Sequence, residues 1–300
     1  MKKLFLLLAC FSSFAFLSGQ KIDSKLQDKL EEAIKGFNGD IGIYVKNLRT
    51  GKTVSINADT IFPTASIIKV PILLGIMDKI HRGELVYDST LVYKDSLLYE
   101  GEDILGSFKN DEKILLKKVM MLMLTTSDNT ASLWLQSLAG KGTRINEILD
   151  SLGFIYTRVN SRTPGRENNR TQYGWGQTTP KEMGTIFEKI YRNEIFSAAV
   201  CDRMMRSLGR NYWDLNEAIS QVPPYIEVFS KNGCVNAVRS EVLLVNAPHN
   251  PYIFCIFTKN NKDTSWIHNN EAWTLARKIS KLLWNYFEPK EKWSSALTPE

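Results

Sequence analysis

Histidine is scarce in this 300-residue chain: only His81, His249 and His268 occur. Three scattered imidazoles leave little room for a multi-histidine metal site, and no metal or other cofactor is expected. Eighteen glycines and ten prolines are too few for a collagen-like or low-complexity chain. Past the first twenty residues no run approaches the ~18 apolar residues that a membrane-spanning helix needs. No basic stretch interleaved with aromatics marks a nucleic-acid surface. An apolar share of 43% beside 23% charged residues excludes general disorder. What remains is a globular enzyme or binding protein for a small molecule, expected to act as a monomer.

The start of the chain has a different character. Lys2 and Lys3 precede an apolar run from Leu4 to Leu17, closed by Ser18 and Gly19. A basic start, a short greasy segment and small residues at its end predict a secretory leader cleaved near Gly19, hence a periplasmic or secreted protein. Leu7-Leu8-Ala9-Cys10 faintly resembles a lipoprotein cleavage box, but six apolar residues before Cys10 make a short core, so lipid anchoring there is the lesser expectation. Without the leader the formal charge falls from +6 to +4, because Lys2 and Lys3 leave with it. Cys201, Cys234 and Cys255 remain, which allows at most one disulfide and at least one free thiol. Disulfides do not hold this fold.

Hydrophobic spacing predicts a helix over 25–37, strands over 40–46 and 53–56, and a helix from Ser66 to about Ile80. Residues 113–124 are apolar nearly all round and predict a buried helix; helical patterns follow at 131–138 and 144–152. Residues 157–178 lack periodicity and read as one long loop, a feature that often carries function. It ends at Thr179-Pro180-Lys181-Glu182, where Thr179 caps, Pro180 suits the first helical position and Glu182 reaches back as in a capping box. Strands are expected at 226–230, 240–246 and 252–258, a helix at 272–287 and a loose tail at 288–300. The strands at the two ends must share an antiparallel sheet flanked by the terminal helices. This gives an α/β (α+β) two-lobed architecture: a leader at 1–19, then a domain over 20–287. Its sheet lobe takes 20–60 and 222–287, its all-helical lobe takes 61–221, and a cleft lies between them.

Three short motifs carry chemistry. In Ser66-Ile67-Ile68-Lys69 a separation of three sets hydroxyl and amine on one helix face, roughly 5–6 Å apart at Cβ. A partly desolvated lysine near other cations takes a serine's proton, and the first N–H groups of the helix hold a developing oxyanion. Alone the motif is weak: the same spacing occurs at Ser18 and Lys21 across the leader's end. Ser127-Asp128-Asn129 follows 61 positions after Ser66 and by itself reads equally as a polar helix junction. Lys231-Asn232-Gly233 lies 104 positions after Ser127, and its Asn-Gly pair also suits a hairpin turn.

Together, in this order and spacing, they resemble the S-x-x-K, S-D-N and K-T-G signature of penicillin-recognising serine hydrolases. With the apolar segment before Ser127 and Thr178-Thr179-Pro180 followed by Met183, the chain resembles class A β-lactamases from about residue 25 to 287. The resemblance implies a β-lactamase/transpeptidase-like fold and a serine hydrolase that opens the β-lactam amide through an acyl-enzyme. It implies Ser66 as nucleophile, Lys69 as its proton acceptor and Ser127 as relay to the leaving nitrogen. Asn129 would bind the substrate's side-chain amide, Lys231 would lend positive charge to a substrate carboxylate, and the N–H groups of Ser66 and Cys234 would form the oxyanion hole. Asp128 is expected to tie its own loop together.

Two departures stand out. Asn232 replaces the family's Thr or Ser before Gly233, which puts carboxylate recognition in doubt. The glutamate that activates the deacylating water falls, by counting back from Thr178, on Thr163; Glu167 holds the place of the asparagine four positions later. Glu167 is therefore either the base in a shifted register or a solvated carboxylate beside Arg166 and Arg170. Without a base the acyl-enzyme is long-lived, as in the penicillin-binding peptidases; a non-catalytic module on the same fold is the other alternative. Tyr99, Tyr173 and Trp175 are candidate cleft walls, with packing the plainer role for each.

Overall fold

Side-chain alternation decides the sheet. In the strand Val238–Val245, Val242 and Leu244 join one core while Leu243 and Val245 join another, all fully buried. Ile253, Cys255 and Phe257 alternate with Tyr252, Phe254 and Ile256 in the same way in the strand Tyr252–Lys259. A period of two with both sets buried places a sheet between two apolar layers. The computed structural model describes residues 21–295 apart from Glu102, Arg210 and Asp214. The leader expected at 1–19, Cys10 included, lies outside the described residues.

The antiparallel sheet has five strands in the order Thr53–Ile56, Asp40–Asn47, Tyr252–Lys259, Val238–Val245, Val228–Val235. Ile43 faces Ile56 on one side and Ile256 on the other, so strands from the two ends of the chain do meet. One face is covered by the helices Ser24–Ala33 and Glu271–Phe287 through Leu26, Leu30, Ile279 and Leu283. The other face is covered by the helix Pro180–Tyr191, which packs on the strands Asp40–Asn47, Tyr252–Lys259 and Val238–Val245. The same core continues into the helix Lys69–His81, with Val70, Ile72, Leu73, Leu74 and Ile76 all at 0% exposure. The helices Asn129–Leu138, Lys141–Ser151 and Ala198–Leu208 pack around it. Among the described residues no helix is long and apolar enough to cross a membrane.

Several local expectations need correction. Residues 113–124 are not one buried helix: Lys113–Leu115 is a strand paired with Thr90–Val92, and only then does a helix run over Leu116–Met121, with Lys118 and Met121 exposed. The helix buried all round from Lys69 to Met77 is Lys69–His81, where Pro71 stands at the third position, at which no intrahelical N–H is needed. Residues 157–178 contain the strands Arg158–Val159 and Gly176–Thr178, which pair, around a helix at Glu167–Tyr173. These elements are too short for periodicity to register. The helix Ala198–Leu208 was not anticipated. Thr179 does cap, accepting from Glu182 N at 3.1 Å. Glu182 does not reach back; its carboxylate accepts from the N–H groups of Ile155, Tyr156 and Thr157 at 2.6–3.1 Å. A loop with three unsatisfied donors outcompetes one cap N–H.

Candidate active site

Ser66 lies in a tight helical turn, Ala65–Ile68, that feeds directly into the helix carrying Lys69. Ala65 just before it has φ +43°, and Ser127 has φ +61°. Both are left-handed positions for residues with a Cβ, each costing roughly 1–2 kcal/mol, and the surrounding packing must enforce them. Ser127 ends a π-helical turn, Leu122–Thr126, whose extra residue turns the chain toward the cleft. The next residue, Asp128, caps the helix Asn129–Leu138 by accepting from Ala131 N at 2.7 Å. Its other oxygen takes Leu105 N at 2.8 Å, and the side chain is buried, so Asp128 does fasten its own loop.

The Lys69 ammonium joins two of the motifs. Its Nζ lies 3.0 Å from Ser66 Oγ and 3.0 Å from Ser127 Oγ, and it also donates to Ser127 O at 2.5 Å and Asn129 Oδ1 at 2.9 Å. The side chain has no exposure. Burial first, then the charge of Lys231, hold Lys69 well below the usual lysine range. A lowered pKa favours the neutral amine, the form that can take a hydroxyl's proton.

The third motif arrives on the strand Val228–Val235, the sheet's edge. Lys231, Asn232 and Gly233 lie inside this strand and not in a hairpin turn; the turn follows at Asn236, with φ +41°. Gly233 is required by close approach. A Cβ there would sit 2.4 Å from Thr64 O and 3.0 Å from the nitrogens of Ser66 and Ile67. The strand backbone thus presses directly on the turn that holds Ser66. Lys231 is fully buried, its Nζ donating to Asn232 O and Asn232 Oδ1 at 3.0 Å each. Burial pulls its pKa down to about 8, against the opposing pull of Cys234 and Glu217.

Ser66, Ser127, Asn232, Gly233 and Cys234 share one cleft of about 770 Å³. Its remaining described walls, Tyr212, Trp213, Leu215, Asn216, Trp266, Trp273 and the carboxyl of Glu217, lie outside every sequence motif. Asn232 Nδ2 donates to Glu217 Oε1 at 3.0 Å and to Trp213 O at 3.1 Å. Burial pushes Glu217 well above the ordinary carboxylate range, against its hydrogen bonds from Asn232 and Cys234. A lone acid and isolated aromatics in loops give no motif to find; their exposure, 66% for Tyr212 and 63% for Trp266, is visible only in three dimensions. Cys201, Cys234 and Cys255 are free thiols.

Tyr99 and Trp175 pack edge to face, ring centroids 5.2 Å apart, and with Tyr173 they stay outside the residues lining the cleft. Glu167 is exposed in the first turn of its helix and accepts from Gly165 N at 3.1 Å. It does not line the cleft, a position that fits the solvated alternative. Thr163 is buried and turned toward the helix Lys141–Ser151: a Cβ on Gly142 would fall 1.7 Å from its Oγ1.

A sequence model described as the Beta-lactamase enzyme family matches residues 25–287. The β-lactamase VEB-1 of Pseudomonas aeruginosa is 24% identical over 297 residues, covering 95% of this chain and 97% of the relative. A β-lactamase of Bacteroides uniformis is 23% identical and covers 64% of this chain and 65% of its own length. Among solved structures, a mutant of PBP-A held as an acyl-enzyme complex with penicillin G superposes with a TM-score of 0.78 at 23% identity, covering 90% of this chain and 98% of the other. A β-lactamase from Sphaerobacter thermophilus gives 0.77 at 20% identity, with 89% and 98% coverage. The fold is that of these proteins, and with the family's sequence model spanning nearly all described residues, the chain belongs to the β-lactamase enzyme family.

Proposed function

We propose that this protein is a serine β-lactamase in which Ser66 attacks the β-lactam carbonyl. The Ser66 oxygen–carbon bond forms as Lys69 takes the hydroxyl proton. The backbone N–H groups of Ser66 and Cys234 face the developing oxyanion, and the ring C–N bond then breaks. Ser127, whose hydroxyl also contacts the Lys69 amine, returns a proton to the leaving nitrogen. Lys231 keeps positive charge behind this relay, and Asn129 holds the acyl side chain. Water then cleaves the ester and restores Ser66. The single observation that carries this reading is a fully buried amine 3.0 Å from two hydroxyls contributed by different elements. No metal enters the scheme. The basic, apolar, small-residue start of the chain supports export before the enzyme acts.

One observation favours slow release of the acyl group. Thr163 faces a helix and Glu167 faces solvent, so neither carboxyl nor hydroxyl from this loop supports activation of a water at Ser66. The second reading is therefore an acylating enzyme of the penicillin-binding peptidase kind, acting on cell-wall peptide stems. Time-resolved intact mass after mixing with penicillin G tests both: a Ser66 adduct that forms and clears within seconds supports the lactamase, and one lasting hours supports the peptidase. Labelling by a fluorescent penicillin must vanish in Ser66→Ala. Labelling that survives there overturns the assignment, and a folded wild type that never labels points to a non-catalytic module.

A further inference from the structure

The described walls of the cleft beside Ser66 carry few ionisable groups. Among the described residues lining it, none is Lys or Arg, and the one carboxyl is that of Glu217. Asn232 stands where an anion-binding hydroxyl is expected, yet both of its amide hydrogens are engaged, one by Glu217 Oε1 and one by Trp213 O. Its oxygen accepts from Lys231 Nζ. No Asn232 donor is left for a substrate anion. Lys231 is buried behind Asn232 with its ammonium on Asn232 oxygens, so it does not project into the cleft. Arg239 is sandwiched by Trp266 and Trp273, 4.3 and 4.8 Å from their ring centroids, and donates to the carbonyls of Asn236, Val238, Thr264 and Ser265.

Aromatic faces complete the wall. Trp213 is fixed across the opening by its indole N–H, which donates to Thr126 O at 2.8 Å, and Tyr212 packs against it edge to face at 4.9 Å. The faces of such rings carry negative quadrupole charge and attract hydrogen-bond donors and cations more than anions.

We propose that Glu217 makes this cleft select acyl donors whose group beside the scissile amide is a hydrogen-bond donor, a carboxamide or an amine, over those with a free carboxylate. The inference rests on the acylation of Ser66 proposed above and names its substrate class. An N–H of the substrate meets the Glu217 carboxylate; a carboxylate meets like charge with no opposed donor from Asn232. Lys231 and Arg239 favour the charged form of Glu217, as do its hydrogen bonds from Asn232 and Cys234, and Arg277 also interacts with it. Glu241 and His268 face its chain neighbours, Ala218 and Asn216. Glu241 is itself held by the N–H groups of Ala218 and Ile219, which fixes the turn after Glu217. Protonation of Glu217 removes the repulsion, so discrimination is expected to weaken in acid.

The test compares benzylpenicillin with the same molecule bearing a carboxamide in place of its carboxylate. Second-order rates of Ser66 acylation are read by intact mass for the wild type and Glu217→Gln. The carboxamide is expected to react about tenfold faster or more in the wild type. Glu217→Gln should bring the two rates to within about threefold, chiefly by gain on the carboxylate. A wild type that prefers the carboxylate, or a ratio the substitution leaves unchanged, overturns the inference. Should Glu217→Gln not fold, the wild-type ratio measured from about pH 8 down to about pH 5 serves instead, because effects on Lys69 cancel between the two donors. A ratio that does not fall in acid overturns the proposal. If neither penicillin acylates, the lactam reading fails on its own. Protection of Ser66 from a serine-directed fluorophosphonate by the two penicillins then decides this inference. Protection by the carboxamide upholds it, and protection by the carboxylate, or by neither, overturns it.

Discussion

Gly233→Ala strikes the contact on which the whole site is registered. The added Cβ would lie 2.4 Å from Thr64 O and 3.0 Å from the nitrogens of Ser66 and Ile67. A carbon and a carbonyl oxygen separate to about 3.3 Å in ordinary contact, so strand and turn must part by roughly 0.5–1 Å. Overpacking of that kind costs about 1–3 kcal/mol. The shift falls between Ser66 N and the strand that carries Cys234 N, so it would open the proposed oxyanion hole. A misplacement near 1 Å costs about 10²-fold in rate. The expected result is acylation by penicillin slowed about 10²-fold, with Tm lowered by about 2–4 °C for each kcal/mol lost. Intact-mass kinetics and a thermal melt measure the two. Gly36→Ala is the control: no atom lies within 4 Å of its Cβ, and only the strain of φ +84° is added. It should lose about 1 kcal/mol and leave acylation alone. If Gly233→Ala acylates within about twofold of wild type, the close approach of strand and turn does not set the site.

Asp128→Ala removes acceptors from Ala131 N and Leu105 N in a buried setting and should cost about 2–4 kcal/mol in chemical denaturation; a loss under about 0.5 kcal/mol would contradict the loop-fastening role. Glu182→Ala strands the N–H groups of Ile155, Tyr156 and Thr157, and the same assay should show a loss of about 2–4 kcal/mol with early proteolysis between residues 150 and 160. Glu167→Gln should leave both steps of turnover within about twofold, read by stopped flow; an accumulating acyl form would identify Glu167 as the base after all. Burial lowers Lys231 to about 8 from an ordinary lysine value, so the folded state binds fewer protons than the unfolded one above that point. Its contribution to stability therefore rises with pH from about 8 to about 10.4 and is level below; a Lys231→Met variant should lack that slope in urea titrations.

Elements with strong periodicity were readable from the chain: Thr53–Ile56, Tyr252–Lys259 and Glu271–Phe287 fall within a residue or two of their expected limits. Motif order likewise singled out Ser66, Lys69 and Ser127, which the structure brings together at Lys69 Nζ. Where tertiary contact overrode local pattern, the reading failed. Lys113–Leu115 has helical composition but pairs as a strand, since Thr90–Val92 offers an unpaired edge. Asn232-Gly233 carries a turn dipeptide inside a strand because Gly233 answers to Thr64 O, a neighbour 169 positions away in the sequence. Glu217 and the four aromatic walls were invisible for the same reason. Nothing local marks a residue such as Glu217, whose partners come from Asn232, Cys234 and Arg239.

The two halves of the proposed reaction rest on different structural ground. Every group assigned to acylation is fixed by the core: Lys69 opens the central helix, buried from Lys69 to Met77, Ser127 is set by a π-turn and a buried capping aspartate, and Gly233 belongs to the main sheet. Deacylation would draw on the segment 157–178, whose helix has seven residues and no buried side chain. Its polar groups are engaged with one another, Arg166 with Asn160 and Gln177, and Asn169 with Gln177. A segment that satisfies itself in this way stabilises its own shape and presents no carboxylate to the cleft. In the proposed reaction, a water attacking the Ser66 ester would meet no carboxylate from this loop, and the lifetime of that ester is the quantity in which the division becomes visible.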